Sequence, residues 1–478
     1  MSDLPSLDEI RRAQRRNVVL GVLAAAVVLL LVLLATVHEP LMVFLEGVAH
    51  GDHDLLGRAT WEAPHPVAPG DLAGVDLAAV HAELIPAWMI AQDRGGERAT
   101  AAARALREGV AADPNLAALV DELTTLVAQD PAGQTERIHA LLDGWNAYLG
   151  ALGEPWRLEG HVRRGEHGVF FYTKSYHVEA ALSATAGEVV APLLLLRRVD
   201  HTNVVEGYLG LVRAGEPEAL VVVDRARDFA LEELWPLLDP AGVEPFAPGV
   251  ASEAAAALSE GDLAALVATA PARRAGLIAV AHIQARNACG SPVLLADLPW
   301  FGLDQDSLAF LEQAVGAFAS PTCPGVLPAE LDALRAATES SRATPGLEAA
   351  LEALAAWAAR GTAIHEARHA VDGALFGAAA SPHADGLPLS GAAVDELSAY
   401  LASFAWSDAR FAALQQACAQ TDGPHGRAMA WIDHALDGAC AAPPADLAAR
   451  AQALERAVFG TRDPVVLPAE WPARLPLR

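Results

Sequence analysis

From Val18 to Val37 the chain reads VVLGVLAAAVVLLLVLLATV, twenty residues without a charge and with Thr36 as the one hydroxyl. A helix rising about 1.5 Å per residue covers about 30 Å over that length, the hydrocarbon thickness of a bilayer. Arg11, Arg12, Arg15 and Arg16 stand before the run, and His38, Glu39 and Glu46 follow it. Cationic flanks stay on the cytoplasmic side, so the N-terminus is expected inside and the body of the chain outside, periplasmic or at the cell surface. A cleaved signal peptide has an apolar region of about 7–15 residues and a small-x-small site. This run is longer and ends Leu34-Ala35-Thr36-Val37, which predicts an uncleaved signal anchor. No second apolar stretch of comparable length is visible for it to pack against as a soluble core helix.

Whatever follows the anchor must fold in water. The chain has 478 residues, with 33 Lys plus Arg against 60 Asp plus Glu, a net charge of −27. That balance argues against nucleic-acid binding, which needs a cationic surface to release counterions. With 53% apolar and 19% charged residues, the body has the surface to bury and is not disordered. The four cysteines fall in two regions, Cys289 with Cys323 and Cys418 with Cys440. Sequential pairing into two bridges suits an oxidising compartment, although four cysteines allow three connectivities. None has the C-x-x-C spacing of a thiolate zinc site or a redox motif.

The patterning divides the chain into a tail (1–16), the anchor (17–38), a linker (39–75), an α+β unit (76–250) and a larger α-helical unit (251–478). The linker contains His50-Gly51-Asp52-His53-Asp54 and several prolines, read as solvated polars. Asp113-Pro114 and Asp130-Pro131 look like helix starts, because Asp caps free amides and Pro has none to satisfy. From Trp156 the period changes to β-branched and aromatic runs at 157–162, 168–178, 189–199, 204–212 and 220–223, an antiparallel sheet of four or five strands. The fold class expected is α+β, mainly α. Arg197-Arg198 and Arg273-Arg274 read as solvated edges.

Within the helical half stands His365-Glu366-Ala367-Arg368-His369. Positions i and i+4 share a helix face, so both imidazoles can point at one metal ion. Glu366 is placed beside a water on that metal, where a carboxylate can take its proton and pass it to a leaving amine. Arg368 faces away and reads as a surface or groove residue. A catalytic zinc takes three protein ligands. The elongated H-E-x-x-H-x-x-G-x-x-H pattern fails, since Asp372 and Leu375 occupy its Gly and third His positions. Downstream, Ser390 is a candidate N-cap for a helix whose apolar stripe is Ala393, Leu397, Leu401 and Phe404. Glu396 lies off that stripe as candidate third ligand, with Asp395 and His383 as rivals.

These two segments resemble the gluzincin class of zinc metallopeptidases, which share a His-Glu-x-x-His helix and a glutamate on a following helix, often within E-x-x-A-D. The resemblance covers about 45 residues. It implies Zn2+ held by His365, His369 and Glu396, and Glu366 as general base acting on a peptide or protein substrate. Glu396-Leu397-Ser398-Ala399-Tyr400 departs from that pattern by placing Tyr400 where the family has Asp. Asp372 or Asp395 would then supply the carboxylate that orients a metal histidine. Tyr400, one turn after Glu396, is a candidate donor to an oxyanion. An anchored, non-catalytic envelope protein with a structural metal is the other class left open, as is different chemistry on the same metal site.

Overall fold

The computed structural model describes residues 72–477 apart from 93–95, 130, 132, 166–167, 201–208, 213–217, 288–292, 294, 296, 318–324 and 378–386. The anchor, the linker histidines, Cys289, Cys323 and His383 lie outside the described residues. Two units divide within one strand: the first holds the chain up to Tyr176 with Val199–Thr202, and the second His177–Arg198 with Asn203–Arg478.

In the first unit, helices α1 (77–92), α2 (Gly96–Val110), α3 (Pro114–Gln129) and α4 (Thr135–Ala151) precede strand β1 (Trp156–Gly165) and the start of β2 (Gly168–Ala186). Asp113 caps α3, its Oδ1 accepting the amides of Asn115 and Leu116 at 2.9 and 2.8 Å. Its other oxygen accepts the Tyr148 hydroxyl at 2.6 Å, which ties the cap of α3 to the end of α4. Leu116, Leu119, Val120, Ile138, Leu142 and Trp145 fill the core between them. The second expected start is displaced. Pro131 sits in a turn, and α4 begins at Thr135, after Gly133, whose backbone freedom disfavours an earlier helix.

In the second unit β3 (Val189–Arg198), β4 (Gly210–Val212) and β5 (Ala219–Val222) complete a sheet of order β1-β2-β3-β5-β4. The sheet is mixed, which corrects the antiparallel reading. β5 inserts between β3 and β4, pairing parallel with β3 from Leu193↔Ala219 to Leu196↔Val222 and antiparallel with β4. Sequential strands usually neighbour each other, and that default hid the crossover. The helices of this unit are α5 (223–237), α6 (Ala247–Ala257), α7 (Glu260–Asn287), α8 (Gln305–Ala314), α9 (Pro328–Ala343), α10 (Leu347–Phe376), α11 (Gly391–Trp406), α12 (Arg410–Cys418), α13 (Gly423–Ala435) and α14 (Leu447–Phe459). The chain is thus α+β and mainly helical.

Among the described residues, α7 alone is long and apolar enough to cross a membrane. Its charges, Glu260, Asp262, Arg273 and Arg274, concealed it from a search for uncharged runs. Arg273 is not a solvated edge. It is buried, stacked over Trp235 at 5.1 Å, and its guanidinium donates to the carbonyls of Leu231, Leu298 and Pro299. A buried cation satisfied by three carbonyls of its own unit marks α7 as a core helix there.

Cys418 and Cys440 form a disulfide with Cα atoms 5.6 Å apart, closing the end of α12 onto the turn after α13. A loop of this size is worth about 3 kcal/mol through the unfolded chain. Cys418→Ser, or reduction with dithiothreitol, should lower the melting temperature of the purified protein, read by circular dichroism.

Glu253 on α6 caps α12, accepting the Phe411 amide and the Arg410 guanidinium, both at 3.0 Å. Burial raises its carboxyl to about 7, against the opposing pull of these donors. Between the unfolded value and about 7 the folded state holds the extra proton, so stability is gained at the acid end and falls as pH rises through that window. Glu253→Gln keeps an acceptor without the charge. Melting temperatures measured from pH 5 to 8 should be flatter for the variant than for the parent.

Candidate metal centre

Helix α10 runs for thirty residues, and its alanines let neighbours approach its backbone closely. Its residues 353–359 are Ala, Leu or Trp, all buried, and burial continues through His365, Glu366, Arg368 and Asp372. Helix α11 packs across it. Leu397, Leu401 and Phe404 belong to a second apolar cluster with α13 and α14, and Ala393 is buried as well, all four without exposed surface. The opposite face of α11 meets α10 through Ser403, whose hydroxyl donates to the Gly361 carbonyl at 3.1 Å, and through Ser398, which donates to Asp372 at 2.6 Å. Glu396 stands on that face.

The structure brings three predicted ligands together. His365 Nε2 and His369 Nε2 are 3.2 Å apart, and Glu396 Oε2 lies 3.2 Å from the first and 3.5 Å from the second. A tetrahedral zinc with bonds of about 2.0–2.1 Å separates its ligand atoms by about 3.3 Å. The three distances match that edge length. Glu396 Oε2 is buried and has no partner in hydrogen-bonding geometry, although three imidazoles surround it. The two imidazole nitrogens and the carboxylate oxygen lie within 4.8 Å of one another and could hold a metal ion, and the donor set suits Zn2+.

The electrostatics reflect the same demand. Burial lowers the His365 imidazole to about 4. Burial also disfavours charge on His369, but Glu396, Glu366 and Asp372 outweigh it and raise that ring to about 9. Burial opposes ionisation of Glu396, yet the histidines hold its carboxyl far below the ordinary range. Glu366 is not in the ligand group. Burial raises its carboxyl to about 7, in a cavity of about 100 Å³ that also takes in His365, Tyr400 and Gly210.

Two residues of the site had been passed over. His425, in the first turn of α13, has Nδ1 2.9 Å from Glu396 Oε2 and 3.0 Å from the Tyr400 hydroxyl. Its side chain is 45% exposed, so it forms the solvent side of the cluster. Glu396 raises its pKa. Asp422-Gly423-Pro424, with proline in the first turn, is the local signal that could have placed a helix here, and nothing local links it to Glu396. Gly210 begins β4 directly against Glu366. A Cβ there would stand 2.6 Å from Glu366 Cγ and 2.6 Å from the Leu220 carbonyl oxygen, so only glycine fits without displacing Glu366.

The remaining candidates fall elsewhere. Tyr400 is buried, its ring 4.7 Å from that of His365, and burial with the nearby carboxylates raises its hydroxyl pKa. Asp395 is half-buried and outside the ligand group. Asp372 takes bonds from Ser398 and Arg462 and lies 3.5 Å from Arg368. Arg462 also donates to Ser398 at 2.7 Å. Asp372 is thus engaged by a clamp between α10, α11 and the segment after α14. Arg368 is not a surface residue: it is 1% exposed and donates to the Asp463 carbonyl at 2.6 Å. Facing away from the histidines directs it into this interior.

Comparison with known protein families, curated proteins and solved structures finds no match for the chain.

Asp372 follows His369 by three residues and Ser398 follows Glu396 by two, so the clamp sets how far the ligand pairs stand apart. Arg462→Ala is expected to weaken zinc binding about 10–100-fold, as loss of groups supporting metal ligands does. Arg462→Lys should fall between. Calorimetric titration of the metal-free proteins with zinc checks the order.

Proposed function

We propose that this chain is a zinc-dependent peptidase, anchored by 17–38 and working outside the cytoplasm. The observation that carries the reading is the convergence of His365, His369 and Glu396 at 3.2–3.5 Å beside the separate, buried carboxylate of Glu366. Three ligands leave a fourth position open, the arrangement of catalytic rather than structural zinc. It also supports the likeness to gluzincins, whose glutamate ligand and general base are placed in this order. A Zn2+ ion held there supplies Lewis acidity, acidifying water and polarising a carbonyl.

Glu366 takes the proton of the attacking water and returns it to the leaving amine. Its raised pKa suits both halves of that task near neutrality. Tyr400 and His425, on the open side, are positioned to donate hydrogen bonds to the negative charge that develops on the carbonyl oxygen. The substrate backbone has a template in β4. That strand ends the sheet order, and among the described residues no strand pairs with its outer side. An extended peptide added there would run past Gly210 and Glu366.

Glu366→Gln should retain stoichiometric zinc and lose about 10²–10⁴-fold in the rate of peptide cleavage. His365→Ala should lose both. Metal analysis of the purified proteins with a mass-spectrometric peptide digest reads the two together. Metal-dependent hydrolysis surviving in both variants would overturn the mechanism, and bound zinc without any hydrolysis by the parent would indicate a structural metal. Gly210→Ala should lower the turnover number through displacement of Glu366 while leaving zinc content unchanged.

A further inference from the structure

The cavity at the metal centre does not end at the ionisable residues. It continues along α10 toward its N-terminus, where Ala358, Gly361 and Thr362 precede His365 at helical spacing on one face. Phe229 of α5 walls one side, and Ala413, Gln416 and Gln420 of α12 and the turn after it wall the other. Among the described residues, the ionisable side chains lining the cavity are His365, Glu366, Tyr400 and His425, all of the candidate reaction centre. The far end carries none among the described residues. Among the described residues the carboxamides of Gln416 and Gln420 have no hydrogen-bond partner.

We propose that this end is a recognition pocket for one small or medium, uncharged, non-aromatic substrate side chain next to the scissile bond. The inference rests on the peptidase reading. Charge is excluded because a desolvated ammonium or carboxylate would find no counter-charge there, whereas an aliphatic, hydroxyl or amide side chain meets Phe229, the alanines and two free carboxamides. Size is excluded by the walls. The whole cavity is about 100 Å³, part of it taken by the reaction centre, and benzene occupies an engineered cavity of roughly 150 Å³. The floor cannot drop further, since a Cβ on Gly361 would stand 3.1 Å from Ala413 Cβ.

The test uses the full-length, zinc-loaded protein and a peptide library randomised around one bond, with cleavage sites read by mass spectrometry. The parent should cleave peptides bearing Ala, Ser, Val, Leu, Asn or Gln at one position at least tenfold faster than those bearing Lys, Arg, Asp, Glu, Phe or Trp. Gln416→Glu should admit Lys and Arg there, Gln416→Arg should admit Asp and Glu, and Ala413→Phe should narrow the choice to Gly and Ala. Calorimetric binding of the same peptides to Glu366→Gln should follow the parental ranking, and circular dichroism confirms that each variant folds. Cleavage without this preference, or a preference unmoved by all three pocket variants, overturns the inference and leaves the peptidase reading intact. No cleavage of any peptide by the parent overturns both.

Discussion

A thirty-residue helix that is buried on nearly every side sets the terms for the second unit. Helix α10 can stay out of water only if neighbours cover its whole circumference, and its run of alanines makes the close approach possible. The sheet, α5, α7, α11 and α12 supply that cover. The same burial brings His365, Glu366, Arg368, His369 and Asp372 into a region where an unpaired polar group is costly. Most of them are answered by a group on another element. Glu396 answers the imidazoles, Ser398 and Arg462 answer Asp372, a main-chain carbonyl answers Arg368, and Glu366 faces the cavity. The polar centre is a consequence of burying that helix, and its geometry follows from which elements reach it.

This division explains what could be read along the chain. The ligand helix and the Glu396 helix were legible because spacing on one helix is local information: i and i+4 for the histidines, and a stripe at 393, 397, 401 and 404 that leaves 396 facing the other way. The Asp113 cap was legible for the same reason. Residues whose role depends on an element far away were not. His425 and Gly210 meet Glu396 and Glu366 only through the tertiary fold. The parallel pairing of β3 with β5 depends on which strand inserts where. Arg368 and Arg273 were assigned to the surface because arginine is mostly exposed, and both belong to the minority that is buried and paired.

The Tyr400 position shows how a departure from a motif can be absorbed. In the pattern that Glu396 begins, an aspartate would stand there and orient a histidine. Here the Tyr400 hydroxyl meets a different histidine, His425, on the solvent side. The carboxylate that braces the two helices is Asp372, on the other helix, drawn to Ser398 and Arg462. The relative placing of His369 and Glu396 thus depends on a clamp on the helices that carry them.

The clamp also has a consequence for the order in which the molecule is made. Arg462 meets Asp372 across ninety residues of chain, and Glu366 rests against a glycine in a strand that precedes it by well over a hundred. Contacts of such sequence separation close late, after local helices have formed and the entropy of long loops has been overcome. A partly synthesised chain would carry His365, Glu366 and His369 on a helix without the groups that surround them in the complete fold. Completion of the His365–His369–Glu396 cluster is then coupled to completion of the fold.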